Sequence, residues 1–198
     1  MRPALRLTAA LLAGWHVFPV VLGLAVTAVV VAVLPPLVSL PTVMSLSPVV
    51  SPPATLAALI VALLAVTTAD EPSTQILATA PRIYRWANTV RVLVIAASGT
   101  AALTLVSGAP IVATASSVSA LVGEGLLLGG AAGIRLAWAL PMLHALASLT
   151  FGAVHRQDLA PWAWIVSPQP PFAGTVASLA LLLIGTMVWS ARLSRGDG

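Results

Sequence analysis

Residues 111–154 have the sequence IVATASSVSALVGEGLLLGGAAGIRLAWALPMLHALASLTFGAV, and this stretch decides the fold class. It contains two long apolar runs, 111–132 and 137–154, separated by a short turn that carries Arg135. Each run approaches the ~20 residues that a helix needs to cross the hydrocarbon of a bilayer. The stretch therefore predicts an antiparallel pair of transmembrane helices.

The rest of the chain has the same apolar character. With 59% hydrophobic and 7% charged residues in 198 positions, and a mean hydropathy of +1.05, it lacks the polar surface of a water-soluble domain. We predict an all-α integral membrane protein whose residues 1–198 form a single transmembrane domain. A short interfacial helix over 2–14 leads into an uncleaved first span. The six predicted spans are 17–34, 54–69, 89–107, 111–132, 137–154 and 173–191.

The basic residues predict the orientation of these spans. All nine are arginines, and in a six-span chain eight of them fall on the same side. Basic loops resist translocation, so this side should be cytoplasmic and should hold both termini of a multi-pass protein of the cell (inner or plasma) membrane. All six tryptophans fall near predicted span ends, where indole rings favour the headgroup layer. The eight arginines are Arg2, Arg6, Arg82, Arg85, Arg91, Arg135, Arg192 and Arg195, and Arg156 is the exception.

Composition also excludes several kinds of site. The chain has no lysine, and a P-loop needs its lysine to reach the phosphates of ATP, so we expect no cofactor in this chain. Without cysteine there is no disulfide, thiolate metal site or thiol nucleophile. The arginines stand singly rather than in a basic stripe, which argues against a nucleic-acid partner. No residue pattern predicts a metal site or a set of catalytic residues.

Glu124 is the only acid inside a predicted span, and it needs a partner or a proton there. Glu124 lies eleven residues before Arg135, and His144 lies nine residues after Arg135. At helical rise the two are about 16 Å and 13 Å from the turn, so they share a depth on antiparallel helices. The spacing predicts a Glu124–His144 contact, which either joins the two helices or serves as a proton relay or substrate contact. Gly123 and Gly125 flank the acid and permit close helix approach.

The most polar inner segment is DEPSTQILATAPR, residues 70–82. Asp70 or Glu71 can cap a helix whose first turn holds Pro72, and Pro81 ends that helix. Acids at its start and arginines beyond its end complement the helix dipole. We therefore predict a short amphipathic helix over 73–80, between spans two and three, that docks on a cytoplasmic partner.

This segment and the six-span layout resemble the membrane subunit of type-2 ABC exporters. In that family the loop after the second span starts with a glutamate, continues through a threonine and a leucine pair, and closes on a proline. Pro72 and Ser73 depart from the second charge and the glycine that members often have. The matching positions are Glu71, Thr74, Ile76, Leu77, Thr79, Pro81 and Arg82, and the partner-coupling set also includes Ser73, Gln75 and Ala78.

The resemblance implies a permease subunit that exports an amphipathic or hydrophobic substrate and is not itself an enzyme. A separate ABC ATPase subunit would bind ATP and Mg, and a second copy or a paralogous permease would complete the pore. In the family, the outer segment between spans five and six dips back into the membrane, as residues 155–172 would here. The alternatives are the substrate-capturing subunit of an energy-coupling-factor importer and a non-transporting membrane protein. The latter is an assembly partner or an intramembrane enzyme that uses Ser98, Glu124 and His144.

Overall fold

The computed structural model describes residues 17–35, 38–40, 49–69, 82–155 and 158–195. This part of the chain is predominantly helical, as the sequence predicted. Its connections contain two short antiparallel strand pairs, Val38–Leu40 with Val49–Ser51 and Ala153–His155 with Asp158–Leu159, and two 3-10 helices, Ile134–Leu136 and Pro161–Val166. The helices are α1 (Val17–Val33), α2 (Pro53–Thr67), α3 (Arg82–Ser107), α4 (Ile111–Ala132), α5 (Ala139–Phe151) and α6 (Phe172–Arg195). The strands are β1 (Val38–Leu40), β2 (Val49–Ser51), β3 (Ala153–His155) and β4 (Asp158–Leu159).

Each of the six predicted spans coincides with one of these helices. Four helical segments are long and apolar enough to cross a membrane, which supports a multi-pass membrane protein. The apolar helices Phe18–Val33 and Pro53–Thr67 are shorter than these four. The four segments are Asn88–Ser107, Ile111–Ala132, Ile134–Phe151 and Phe172–Leu193.

The helix ends differ from the predicted span ends at several places. The candidate span Asn88–Ser107 agrees with the predicted start at 89, but α3 itself begins at Arg82, because no helix breaker follows Pro81 and the helix extends beyond the apolar run. Helix α6 likewise continues to Arg195, beyond the predicted end at 191. Span five was expected to end at 154, but α5 ends at Phe151. The carbonyl of Gly152 accepts a hydrogen bond from the backbone of Ala160 at 2.7 Å, so it does not continue the helix. The chain then enters β3.

Helix α4 lies at the centre and makes its most extensive contact with α6. Glycines let the two backbones touch. A β-carbon at Gly123 would lie 2.4 Å from the carbonyl carbon of Leu181, and one at Gly185 would lie 2.2 Å from the oxygen of Gly123. On another side of α4, a β-carbon at Gly125 would meet Val66 of α2 at 2.7 Å. Small residues at close helix contacts are typical of membrane bundles.

At one end of the bundle, α2 and α4 finish and α3 begins; we call it the arginine end. Buried Arg91 on α3 donates hydrogen bonds to the carbonyl of Thr68, beyond α2, and to the side chain of Asn88 at 2.8 Å. Arg192 on α6 donates to the carbonyl of Gly129 at 3.2 Å. The sequence assigned both arginines to the orientation of the chain, but in the structure both side chains also bind carbonyls near helix C-termini within the bundle.

Two of the tryptophans predicted at the headgroup layer differ in exposure. Only 4% of Trp189 is exposed, because it packs beside Gly129 and Gly130 of α4. Trp138 is 53% exposed, in keeping with an interfacial position.

Two predicted elements, the interfacial helix over 2–14 and the coupling helix over 73–80, lie outside the described residues. Of the partner-coupling positions, the structure describes only Arg82, the first residue of α3. The positions outside it are Glu71, Ser73, Thr74, Gln75, Ile76, Leu77, Ala78, Thr79 and Pro81.

Candidate functional site

The structure brings Glu124 and His144 together. Glu124 is 5% exposed on α4, and its Oε1 lies 2.5 Å from Nδ1 of His144 on α5. The hairpin from α4 through Ile134–Leu136 into α5 sets both side chains at one depth, which is the geometry that the spacing predicted. The close packing of Gly123 on α6 and Gly125 on α2 holds the acid inside the bundle.

The second ring nitrogen of His144 links this pair to the segment between α5 and α6. Its Nε2 lies 3.0 Å from the carbonyl oxygen of Trp162, and its ring packs edge-on against Trp164 at 5.5 Å between centroids. A carbonyl only accepts, so Nε2 carries a proton. One more proton then lies between Glu124 and Nδ1. Whichever of them holds it, the pair has no net charge, which suits a buried site in a membrane.

The 3-10 helix Pro161–Val166, which we call the return segment, packs back into the bundle. Ser117 of α4 donates to the carbonyl of Ile165 at 2.6 Å, and Ser51 donates to that of Val166 at 2.7 Å. The indole of Trp164 donates to Ser178 of α6 at 2.9 Å. The return segment is therefore hydrogen-bonded to α4, α5 and α6 and to the chain entering α2.

The pair and the return segment form a hydrogen-bonded chain, Glu124–His144–Trp162, across three elements. It can fasten the return segment to α4 and exchange one proton between carboxylate and imidazole. Oε2 of Glu124 has no hydrogen-bond partner among the described residues and is able to accept one more donor. Within the same residues, no group of three or more His, Cys, Asp or Glu side chains is placed to hold a metal ion.

The structure does not bring Ser98 and His144 together, as the alternative of an intramembrane enzyme would require. Ser98 is exposed on α3, while both ring nitrogens of His144 are engaged by Glu124 and Trp162. An intramembrane hydrolase built on these residues would need its serine beside the imidazole.

Sequence reasoning missed most of the return segment's partners. Ser117 lies two helical turns before Glu124 on α4, and Ser178 lies in the first half of α6. Their hydroxyls also bind the backbone of their own helices, on Ala113 and Gly174, which is how serine in a membrane helix usually behaves. The seven-residue spacing of Ser117 and Glu124 was the available signal, because it places both on one helix face.

No protein-family model matches this chain, and neither does any curated protein or solved structure. The features of this chain that point to a function are therefore its helix layout, the hydrogen-bonded pair and the return segment.

Proposed function

We propose that this chain is the permease subunit of an ATP-driven ABC exporter, with six spans and both termini in the cytoplasm of a cell whose inner or plasma membrane it crosses. The observation that carries the proposal is the return segment. In the described part of the connection between α5 and α6, the return segment is hydrogen-bonded to side chains of α4, α5 and α6 that lie about two turns inside those helices. That is the feature implied for residues 155–172 by the resemblance to type-2 ABC exporters.

The six-span topology requires the short helix α2 to cross the membrane. Its 15 residues cover about 22 Å, less than the ~30 Å of hydrocarbon. Nine of those residues are buried against other parts of the bundle. A helix enclosed mainly by protein tolerates such a mismatch, because little of its surface faces lipid.

Coupling to the ATPase is proposed to pass through the segment between α2 and α3. The side chain of Asn88 donates to the carbonyl of Ala69 at 3.2 Å, and Arg91 binds that of Thr68. These bonds join the end of α2 to α3 on either side of residues 70–81. A push by the ATPase on the proposed coupling helix, Ser73 to Ala80, would move α2 and α3 together. ATP and Mg belong to that partner.

The hydrogen-bonded chain from Glu124 to Trp162 fastens the return segment in this scheme. A second copy, or a paralogous permease, forms the other half of the pathway. Apolar side chains dominate the helix surfaces, which favours an amphipathic or hydrophobic substrate over a sugar or an ion.

The test is copurification of the chain with an ABC ATPase encoded by a neighbouring gene, followed by measurement of ATP turnover. Glu71→Ala and deletion of Ser73–Ala80 should each reduce assembly or uncouple ATP turnover from transport. Gln169→Ala, an exposed polar change beyond the return segment, is the matched control and should change neither. Intact assembly and unchanged turnover in both test variants would refute the coupling role. A substrate held by one isolated copy would favour the importer subunit instead.

A further inference from the structure

A groove of about 210 Å³ opens at the arginine end, between the last turns of α2 and the segment 134–138 that precedes α5. Leu63 and Val66 of α2, with Ile134 and Ala137, give it an apolar floor. Thr67, Arg135 and Trp138 add a hydroxyl, a cation and an indole. None of these lining residues is acidic.

Arg135 is the cation of this groove. It is exposed, and among the described residues it makes no hydrogen bond or ion pair, whereas Arg91 and Arg192 at the same end bind helix carbonyls. Trp138, half-exposed beside it, has the amphipathic character of a residue at the headgroup layer. The groove thus combines one positive charge with an apolar slot at the proposed cytoplasmic leaflet, which is the leaflet that carries anionic lipids.

We propose that this groove binds one phospholipid with a net negative charge from the surrounding leaflet. The phosphate pairs with Arg135, which can donate two parallel hydrogen bonds to it. The first acyl carbons lie over Leu63 and Val66. The volume is below the ~300–1,000 Å³ of sites that enclose a whole drug-sized ligand. It therefore accommodates a headgroup and the start of a chain, while the remaining chain extends into the bilayer.

The experiment is native mass spectrometry of the purified full chain, titrated with dioleoylphosphatidylglycerol or with zwitterionic dioleoylphosphatidylcholine. The wild type should bind the first anionic lipid more tightly than the zwitterionic one. Arg135→Gln should reduce that preference by about fivefold, which corresponds to ~1 kcal/mol per arginine near an anionic surface. Arg135→Lys should keep most of it. Arg195→Gln is the matched control, because it removes the same charge from α6, none of whose described side chains lines the groove.

Loss of preference in Arg135→Gln alone supports the site. Equal loss in Arg135→Gln and Arg195→Gln, or no loss in either, overturns it, because the preference is then general electrostatics or arises elsewhere. Competition by inorganic phosphate at equal strength also overturns it, since a free anion would be the ligand. A preference that appears only after deletion of Ser73–Ala80 overturns it as well, because the chain's own inner segment would then fill the groove. Circular dichroism checks that each variant is folded.

Discussion

Removal of His144 should destabilise the bundle more than removal of Glu124. In His144→Ala, the carboxyl group of Glu124, 5% exposed, loses the partner of its Oε1, and its Oε2 has none among the described residues. An unpaired charged acid inside a span costs about 2.5–3.5 kcal/mol. If the acid takes up a proton, the loss falls towards the ~1–3 kcal/mol of an unsatisfied polar group. We therefore expect His144→Ala to lower the free energy of unfolding by about 2–3 kcal/mol.

Glu124→Ala should have a smaller effect and lower the free energy of unfolding by about 1 kcal/mol. This value is within the range measured for hydrogen bonds between membrane helices. The imidazole keeps the Trp162 carbonyl and is more accessible than the acid, with 15% of its side chain exposed. The double variant removes the orphaned acid. It should therefore be more stable than His144→Ala, and the coupling between the two sites should be about 1–2 kcal/mol.

The assay is equilibrium unfolding by sodium dodecyl sulfate in mixed micelles, followed by far-UV circular dichroism. Leu143→Ala, at the neighbouring position on α5 and 63% exposed, is the control and should change stability by no more than ~0.5 kcal/mol. The reasoning would be refuted if the effects of the two single variants on the free energy of unfolding simply added in the double variant. A larger loss of stability in Glu124→Ala than in His144→Ala would refute it as well. Unchanged stability with lost export would instead make the pair a proton or substrate site.

Two further perturbations test the packing, with the same unfolding assay. Gly123→Ala should lower the free energy of unfolding by about 1–3 kcal/mol, because its β-carbon would meet the backbone of Leu181. Gly129→Ala should lower it less, because the nearest neighbour of its β-carbon is the methyl group of Ala137 at 3.1 Å. Equal losses in these two variants would contradict the close contact of α4 with α6. Arg91→Met should lower the free energy of unfolding by about 1–3 kcal/mol, because the buried Thr68 carbonyl loses its donor. Arg91→Lys should recover only part of that stability, because an ammonium lacks the guanidinium fork that reaches Thr68 and Asn88 together. Wild-type stability in Arg91→Met would show that the bond to Thr68 contributes nothing.

The helices were predictable because hydropathy reports directly on membrane-sized apolar runs. Their ends were less predictable, since hydropathy marks where lipid-compatible residues begin and not where backbone hydrogen bonding begins. Helix α3 therefore starts at Arg82, well before its apolar part. The Glu124–His144 geometry followed from helical rise alone, because the turn at Arg135 fixes the register of the two antiparallel helices.

The contacts of the return segment were not predictable in the same way. It is held largely through backbone carbonyls, those of Trp162, Ile165 and Val166, which accept from histidine and serine side chains. Every residue has a carbonyl, so the sequence carries no mark of which ones are used. The place of Trp189 is similar. Gly129 leaves room for its indole and Gly130 leaves room for its backbone, and that room exists only once α4 and α6 are packed.

The arginine bias that predicts the orientation of the chain also limits how its helices can end. Helices α2 and α4 end at the arginine end, where their last carbonyls lack partners within the helix and the negative ends of their dipoles lie. Arg91 and Arg192 supply cationic donors to these carbonyls. At the opposite end, described caps are neutral. The hydroxyl of Ser107 donates to the carbonyl of Leu103 at 2.6 Å near the end of α3, and the backbone of Ala160 donates to Gly152 after α5. Besides Arg156, a further arginine at that end would oppose the positive-inside orientation, so hydroxyl and backbone donors are caps compatible with the proposed topology. Arginine position therefore contributes to stability as well as to sidedness, and transferring one to the opposite end would weaken both.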